Sequence, residues 1–303
     1  MTRQHRAQFD AEITFANGGG LRTEGFRLDV PAPDITDDAL ATLLVRHLGL
    51  LMVAGVRISE KTIIEEAHKG GRGVAAAAPG RRRLVELSHL ITDGMTTLPG
   101  WPVPRITDWL TLEASRAHYA PGVEFQVARI DMIANTGTYL DTPAHRWADG
   151  ADLAGVPVDR LADLPGVLVR VPAGTRAVDP LLLAPYEVAG RAVLLHTGWD
   201  AHFGTDRYAT PDAPYLTGEG AEALVAAGAA LVGIDSINID DMTPAAAGER
   251  PAHSALLAAG IPIVEHLTGL DALPPAGFRF TAAPPRVAGM GTFPVRAFAT
   301  IDG

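Results

Sequence analysis

The chain has 303 residues, 47% of them hydrophobic and 20% charged, which is enough apolar sequence to bury a core in one large domain or two modest ones and excludes global disorder. A formal net charge of −10, with Arg81-Arg82-Arg83 as its only basic run, excludes a nucleic-acid surface. The absence of cysteine excludes disulfides and thiolate chemistry, so any metal must be held by His, Asp or Glu.

From Met1 to Glu12 the chain is polar and lacks an apolar targeting core, and its longest apolar runs, Leu48 to Val53 and Ala223 to Leu231, are too short to span a bilayer. A soluble, cytoplasmic protein with no membrane partner is expected. Ala11 to Ala16 alternates like a strand, Asn17-Gly18-Gly19-Gly20 reads as a turn, and Thr23 to Val30 reads as the return strand of a hairpin. A helix over Asp37 to Leu48 follows, capped by Thr36, apolar at Leu40, Leu43, Leu44 and Leu48, and stopped by Gly49. Val56 to Glu66 reads as another strand. Lys69 to Arg83, rich in Gly, Ala, Pro and Arg without apolar period, reads as a linker. The expected organisation is a small N-terminal α+β accessory module over 1–68, a linker over 69–83 and a catalytic domain over 84–303.

Beyond the linker, Val167 to Val171, Ala192 to His196, Ala230 to Ile234 and Ile261 to Glu265 read as strands, the last two preceded by helices over Gly218 to Ala227 and Ser254 to Ala259. This alternation predicts an α/β fold with a mixed or parallel sheet and packed helices. Serine-hydrolase, zincin, P-loop and dinucleotide-binding signatures are all missing. The densest polar cluster is Asn135-Thr-Gly-Thr-Tyr139-Leu-Asp141-Thr-Pro-Ala-His145. An extended backbone from Asn135 would point Asn135, Tyr139 and Asp141 the same way, and Pro143 would then turn His145 toward them. Such a cluster can also serve merely to satisfy a turn at a strand end.

The stretch from Asn135 to His145 resembles the HxGTHxDxPxH motif of the cyclase family, which includes bacterial kynurenine formamidase and isatin hydrolase, metal-dependent hydrolases of amide or lactam bonds. Leu87 to Met95 with Pro99-Gly100 is similar to the family's opening strand and proline loop. Val232 to Ser236 is similar to its central strand, and His253-Ser-Ala-Leu-Leu with Gly260 to Glu265 to its C-terminal metal-binding stretch. The resemblance runs from about residue 84 to 300 and implies the mixed-sheet fold of kynurenine formamidase.

The resemblance also implies roles. Asn135 and Tyr139 stand where the family has two metal-binding histidines, so the first metal site loses both imidazoles. Neither an amide oxygen nor a neutral phenol replaces them. The second site is matched in full by Asp141, His253 and Glu265, a set suited to one Zn²⁺ or Mn²⁺ ion. The family's acid/base histidine falls on His145.

Two mechanisms stay open: a single metal with His145 relaying protons, or metal-free catalysis in which His145 is the base and Asn135 and Tyr139 donate to an oxyanion. Both fit a hydrolase or cyclase of a small amide, lactam or lactone. A metal-free cyclase or dehydratase and a non-catalytic ligand binder are the rivals. Leu98 and Trp101 fall where the family has its substrate-covering loop, and Trp101 and Trp199 are equally suited to core packing. Asp235, Asp240 and Asp241 read as solvated or helix-capping, and His89, His196, His202 and His266 as structural. A homo-oligomer, dimer or tetramer, is expected.

Overall fold

The computed structural model describes residues 3–30, 32–48, 50, 52–67 and 82–302. The chain divides into two units, Met1–Ala76 and Ala77–Gly303. The expected linker lies almost wholly outside the described residues, as does Gly49.

In the first unit, β1 (Arg3–Phe15), β2 (Gly20–Val30) and β3 (Val53–Ala67) form an antiparallel sheet in the order β2-β1-β3, with α1 (Asp37–Leu48) between β2 and β3 in sequence. Period-two alternation along β1 buries Ala7, Phe9, Ala11 and Ile13, which form one core with Leu40 and Leu44 of α1. Thr36 Oγ1 accepts from the Ala39 amide at 3.2 Å, the cap expected from sequence.

The second unit contains β4 (Arg83–Glu86), β5 (Arg105–Leu110), α2 (Leu112–Ser115), β6 (Val127–Asp131), β7 (Tyr139–Asp141), β8 (Leu164–Arg170), β9 (Ala177–Val178), α3 (Pro180–Leu183) and β10 (Ala192–His196). It continues through β11 (Tyr215–Leu216), α4 (Gly218–Ala226), β12 (Leu231–Ile234), α5 (Pro251–Ala258), β13 (Ile263–Glu265), β14 (Ala276–Thr281), β15 (Thr292–Pro294) and β16 (Phe298–Ile301). A nine-stranded mixed sheet runs β15-β7-β13-β12-β10-β8-β14-β16-β4. Its four middle strands, β13, β12, β10 and β8, are parallel, and antiparallel strands flank them on both sides. Alternate residues of the parallel strands enter two cores: Val167, Val193, Leu195 and Ile263 pack with Leu224 and Leu256 of α4 and α5. Leu168, Leu194 and Val264 pack with Leu87, Phe278 and Phe280. Burial of both faces explains why these strands read as continuous apolar runs.

The structure corrects one reading. The chain is not extended from Asn135 but bends through 134–138, with Gly137 at φ +64°, and is strand only over Tyr139–Asp141. The left-handed glycine breaks the pleat, so Asn135 reaches the site from a loop rather than from the shared strand face. No helix among the described residues is long and apolar enough to cross a membrane.

Candidate active site

The candidate residues converge because β7 lies between β13 and β15. Register sets Tyr139 opposite Glu265 and Asp141 opposite both Ile263 and Thr292. A short 3-10 turn over Pro143–His145 then carries His145 back beside β15. Packing there is close: a Cβ on Gly291 would stand 2.3 Å from the His145 amide nitrogen. His253 comes from the first turns of α5, whose N1 position is Pro251.

Leu98, Trp101, Asn135, Tyr139, His145, His253 and Glu265 all line one cleft of about 460 Å³. Asp141 is fully buried behind it. Trp199 is elsewhere, packed in the core with its indole nitrogen donating to the Tyr208 carbonyl at 2.9 Å.

Thr292 bridges two of these groups. Its hydroxyl donates to Asp141 Oδ1 and lies 2.6 Å from His145 Nδ1. A hydroxyl has one proton, so with that proton on Asp141 the His145 Nδ1–H is the donor in the second contact. That tautomer leaves His145 Nε2 with a free lone pair.

His253 is held in the same way. Nδ1 lies 2.6 Å from Asp240 Oδ2, and Asp240 also accepts from the backbone amides of Ala252 and His253, satisfying the first turn of α5. Nε2 then stands 3.7 Å from both Asp141 Oδ2 and Glu265 Oε1. Burial lowers the proton affinity of His253, but Glu265, Asp141 and Asp240 outweigh it and raise its pKa to about 10.

Glu265 Oε2 accepts from the Tyr139 hydroxyl at 2.7 Å and Oε1 from the Ile239 amide at 2.6 Å. Burial raises the Glu265 pKa to about 7 against the pull of His253 and these two donors. Burial, then Glu265 and Asp141, raise Tyr139 well above the ordinary phenol value, so it stays a donor. Behind it, His266 Nε2 lies 3.3 Å from the Tyr139 oxygen and His266 Nδ1 lies 2.8 Å from the Tyr208 hydroxyl. Burial lowers His266 to about 3. A neutral ring accepting from Tyr208 and donating to Tyr139 completes a one-way chain to Glu265.

Part of the set implied by sequence is spaced for a divalent cation. Asp141 Oδ2 is buried with no hydrogen-bond partner, a costly state unless something else meets the oxygen. For a set with Glu265, two edges are in range: the 3.7 Å spacings at His253, against roughly 3.4 Å for a tetrahedral site with bonds of about 2.1 Å. Among the described residues, the group whose ligand atoms all lie within 4.8 Å of one another is Asp141, His145 and His253, without Glu265. It shares Asp141 and His253 with the set implied by sequence and differs in its third member.

The family model described as a putative cyclase matches residues 85–241, just over half of the chain. The chain belongs to the cyclase family. It is 28% identical over 177 residues to kynurenine formamidase of Maricaulis maris (strain MCS10), covering 58% of this chain and 81% of that protein. Among solved structures it is similar to isatin hydrolase A from Labrenzia aggregata, with TM-score 0.62 and 23% identity over 73% of this chain and 94% of the other. A predicted metal-dependent hydrolase from Bacillus stearothermophilus gives TM-score 0.57 and 22% identity over 72% and 98% of the two chains.

The sequence carried a helix-capping reading for Asp240 but not its orienting role toward His253, and it gave no sign of Thr292. Pro251 marked a helix start that needed a cap, the one available signal for Asp240. Nothing in the sequence tied Thr292 to residues about 150 positions earlier.

Proposed function

We propose that the cleft hydrolyses a small amide, lactam or lactone, with His145 as general base and then general acid. The observation that carries this reading is the Thr292 bridge, which fixes the His145 tautomer against buried Asp141 and leaves Nε2 able to take a proton from water. His145 is about a third exposed, so Nε2 can reach a bound molecule. The names of the relatives, a formamidase and an isatin hydrolase, support an amide or lactam substrate.

Asp141, His253 and Glu265 would hold one Zn²⁺ or Mn²⁺, with Asp240 fixing the His253 ring. Such an ion, when bound, supplies an activated water and polarises the scissile carbonyl. Tyr139 keeps Glu265 aligned, and because its proton is committed to that carboxylate it is not available to an oxyanion. The metal-assisted reading is therefore favoured over the metal-free one.

A panel of formanilides, lactams and lactones, assayed with and without added Mn²⁺ or Zn²⁺ and again after chelation, tests the proposal. Turnover with at least one class, reduced about 10²-fold or more in His145→Asn, is expected. No turnover of any class under either condition overturns it.

The protein is further proposed to act as a dimer or tetramer. Among the described residues β5 and β6 pair only with each other; they expose Trp109 (72%) and Ile130 (49%), and Phe125 (53%) is exposed just before β6. A two-stranded hairpin is marginal alone, and such a surface calls for cover. A monomer by light scattering at micromolar concentration would remove this part.

A further inference from the structure

Two chain segments press against the turn that carries His145. A Cβ on Gly150 would stand 2.5 Å from the Pro143 carbonyl carbon, and one on Gly291 would stand 2.3 Å from the His145 amide nitrogen. Backbone hydrogen bonds fasten the turn to both segments. The Ala144 amide donates to the Ala151 carbonyl at 3.0 Å, and the Thr142 amide donates to the Gly291 carbonyl at 2.8 Å. The place of His145 relative to Thr292 therefore depends on how the two segments are held to each other.

Asp152 holds them together. Its Oδ1 accepts from the Ala154 and Gly155 amides at 3.0 and 2.8 Å, which folds the first segment on itself. Its Oδ2 accepts from the Gly289 amide at 2.6 Å, a contact 137 residues along the chain and three positions before Thr292. Beside it the Leu153 amide donates to the Met290 carbonyl at 2.9 Å, and Arg286 Nε donates to the Ala154 carbonyl at 3.1 Å. The Gly289 amide, then that of Gly155, hold the Asp152 carboxyl below the usual carboxylate range, so it accepts as an anion. An aspartate that ordered only its own loop would use Oδ1 alone. The bond from Gly289 is the one directed at the segment that leads into Thr292, and Asp152 itself lies outside the cleft.

We infer that Asp152 is a positioning residue for His145: by clasping 150–155 to 289–291 it closes the space around the turn at 143–145 and sets the Thr292–His145 contact that fixes the imidazole tautomer. The effect on the tautomer stands on this geometry. The effect on turnover rests on the hydrolase reading.

The experiment reads the two separately in the full chain, with Asp152→Ala and Asp152→Asn. The first deletes all three contacts, and the second can keep those within the loop while turning an amide N–H toward the Gly289 N–H. The side chain is half-buried, so neither change opens the core. Nitrogen NMR of histidine-labelled protein reports the tautomer, with the His145 signals assigned by their loss in His145→Asn. Wild type should show the Nδ1–H form at His145, and both variants a mixture of tautomers there. In parallel, kcat for a hydrolysed amide, lactam or lactone should fall about 10- to 100-fold with KM little altered. In a Thr292→Val background Asp152→Ala should cost almost nothing further, because both act through one contact. Melting temperatures check folding, and if Asp152→Ala does not fold, Asp152→Asn decides both readouts. An unchanged His145 tautomer, lowered stability with kcat intact, a loss carried by KM, or full additivity with Thr292→Val would each overturn the proposal. A shifted tautomer in a protein that hydrolyses none of these classes would instead fail the hydrolase reading and leave the positioning role standing.

Discussion

Tyr139 and Glu265 stand directly opposite one another on β7 and β13, and the tyrosine hydroxyl donates to Glu265 Oε2 at 2.7 Å. A phenol thus occupies a position where the resemblance to the family motif implies an imidazole, and it is tied to a carboxylate of the proposed metal set. Tyr139→Phe removes the donor from a buried carboxylate. Urea unfolding should show a loss of about 1–3 kcal/mol, and Mn²⁺ or Zn²⁺ affinity should fall roughly 10- to 100-fold. Unchanged metal affinity would show that Tyr139 does not align Glu265.

With Asn135 and Tyr139 in place of two imidazoles, metal loading followed by elemental analysis should give no more than one equivalent per chain. Two equivalents would show that the amide and the phenol serve as ligands after all.

Thr292→Val deletes the hydroxyl between Asp141 and His145. Because the hydroxyl fixes a tautomer rather than touching substrate, kcat should drop about 10- to 100-fold with KM little altered, and Thr292→Ser should restore most of it. A variant as active as wild type would assign the His145 orientation to other contacts.

Gly291→Ala places a methyl 2.3 Å from the His145 amide nitrogen, which is backbone and cannot step aside. Displacement of the turn at Pro143–His145 should cost about 1–3 kcal/mol of stability and most of the activity. Thermal melts and steady-state rates read the two effects separately, and full activity would refute the tight packing.

His266 links stability to pH. Burial depresses its folded pKa to about 3 from an unfolded value near 6.5, so its contribution is fully present above pH 6.5 and is lost as pH falls from there toward 3. Between pH 7 and pH 5 the loss is about 2 kcal/mol. In His266→Asn, which suits the left-handed φ of +56° at this position, the slope of unfolding free energy over that range should flatten by that amount. An unaltered slope would place the titration elsewhere.

Much of the local structure was legible in the sequence because it follows from periodicity and caps. Thr36 capping α1, the alternation along β1, and the apolar runs of β8, β10 and β12 are short-range signals that the chain obeys. Helix and strand ends moved by a few residues: α5 starts at Pro251 and β13 at Ile263. The absence of cysteine, which leaves His, Asp and Glu as the residues to hold a metal, holds whatever the fold.

What the tertiary structure decided was proximity. Asp141 is more than 100 residues from His253, Glu265 and Thr292 in sequence and meets them because β7 inserts between β13 and β15, a pairing of distant strands that no local pattern encodes. The conformation of Asn135 to Thr138 was decided there too. Its residues suit an extended strand, but Gly137 adopts positive φ and its amide donates to Thr97 Oγ1, a contact 40 residues away. Thr97, Thr292 and Asp240 carry no motif. Each acquires its contacts from the partner that folding sets against it, which is why sequence alone singled out the proposed reacting groups and not the groups that aim them.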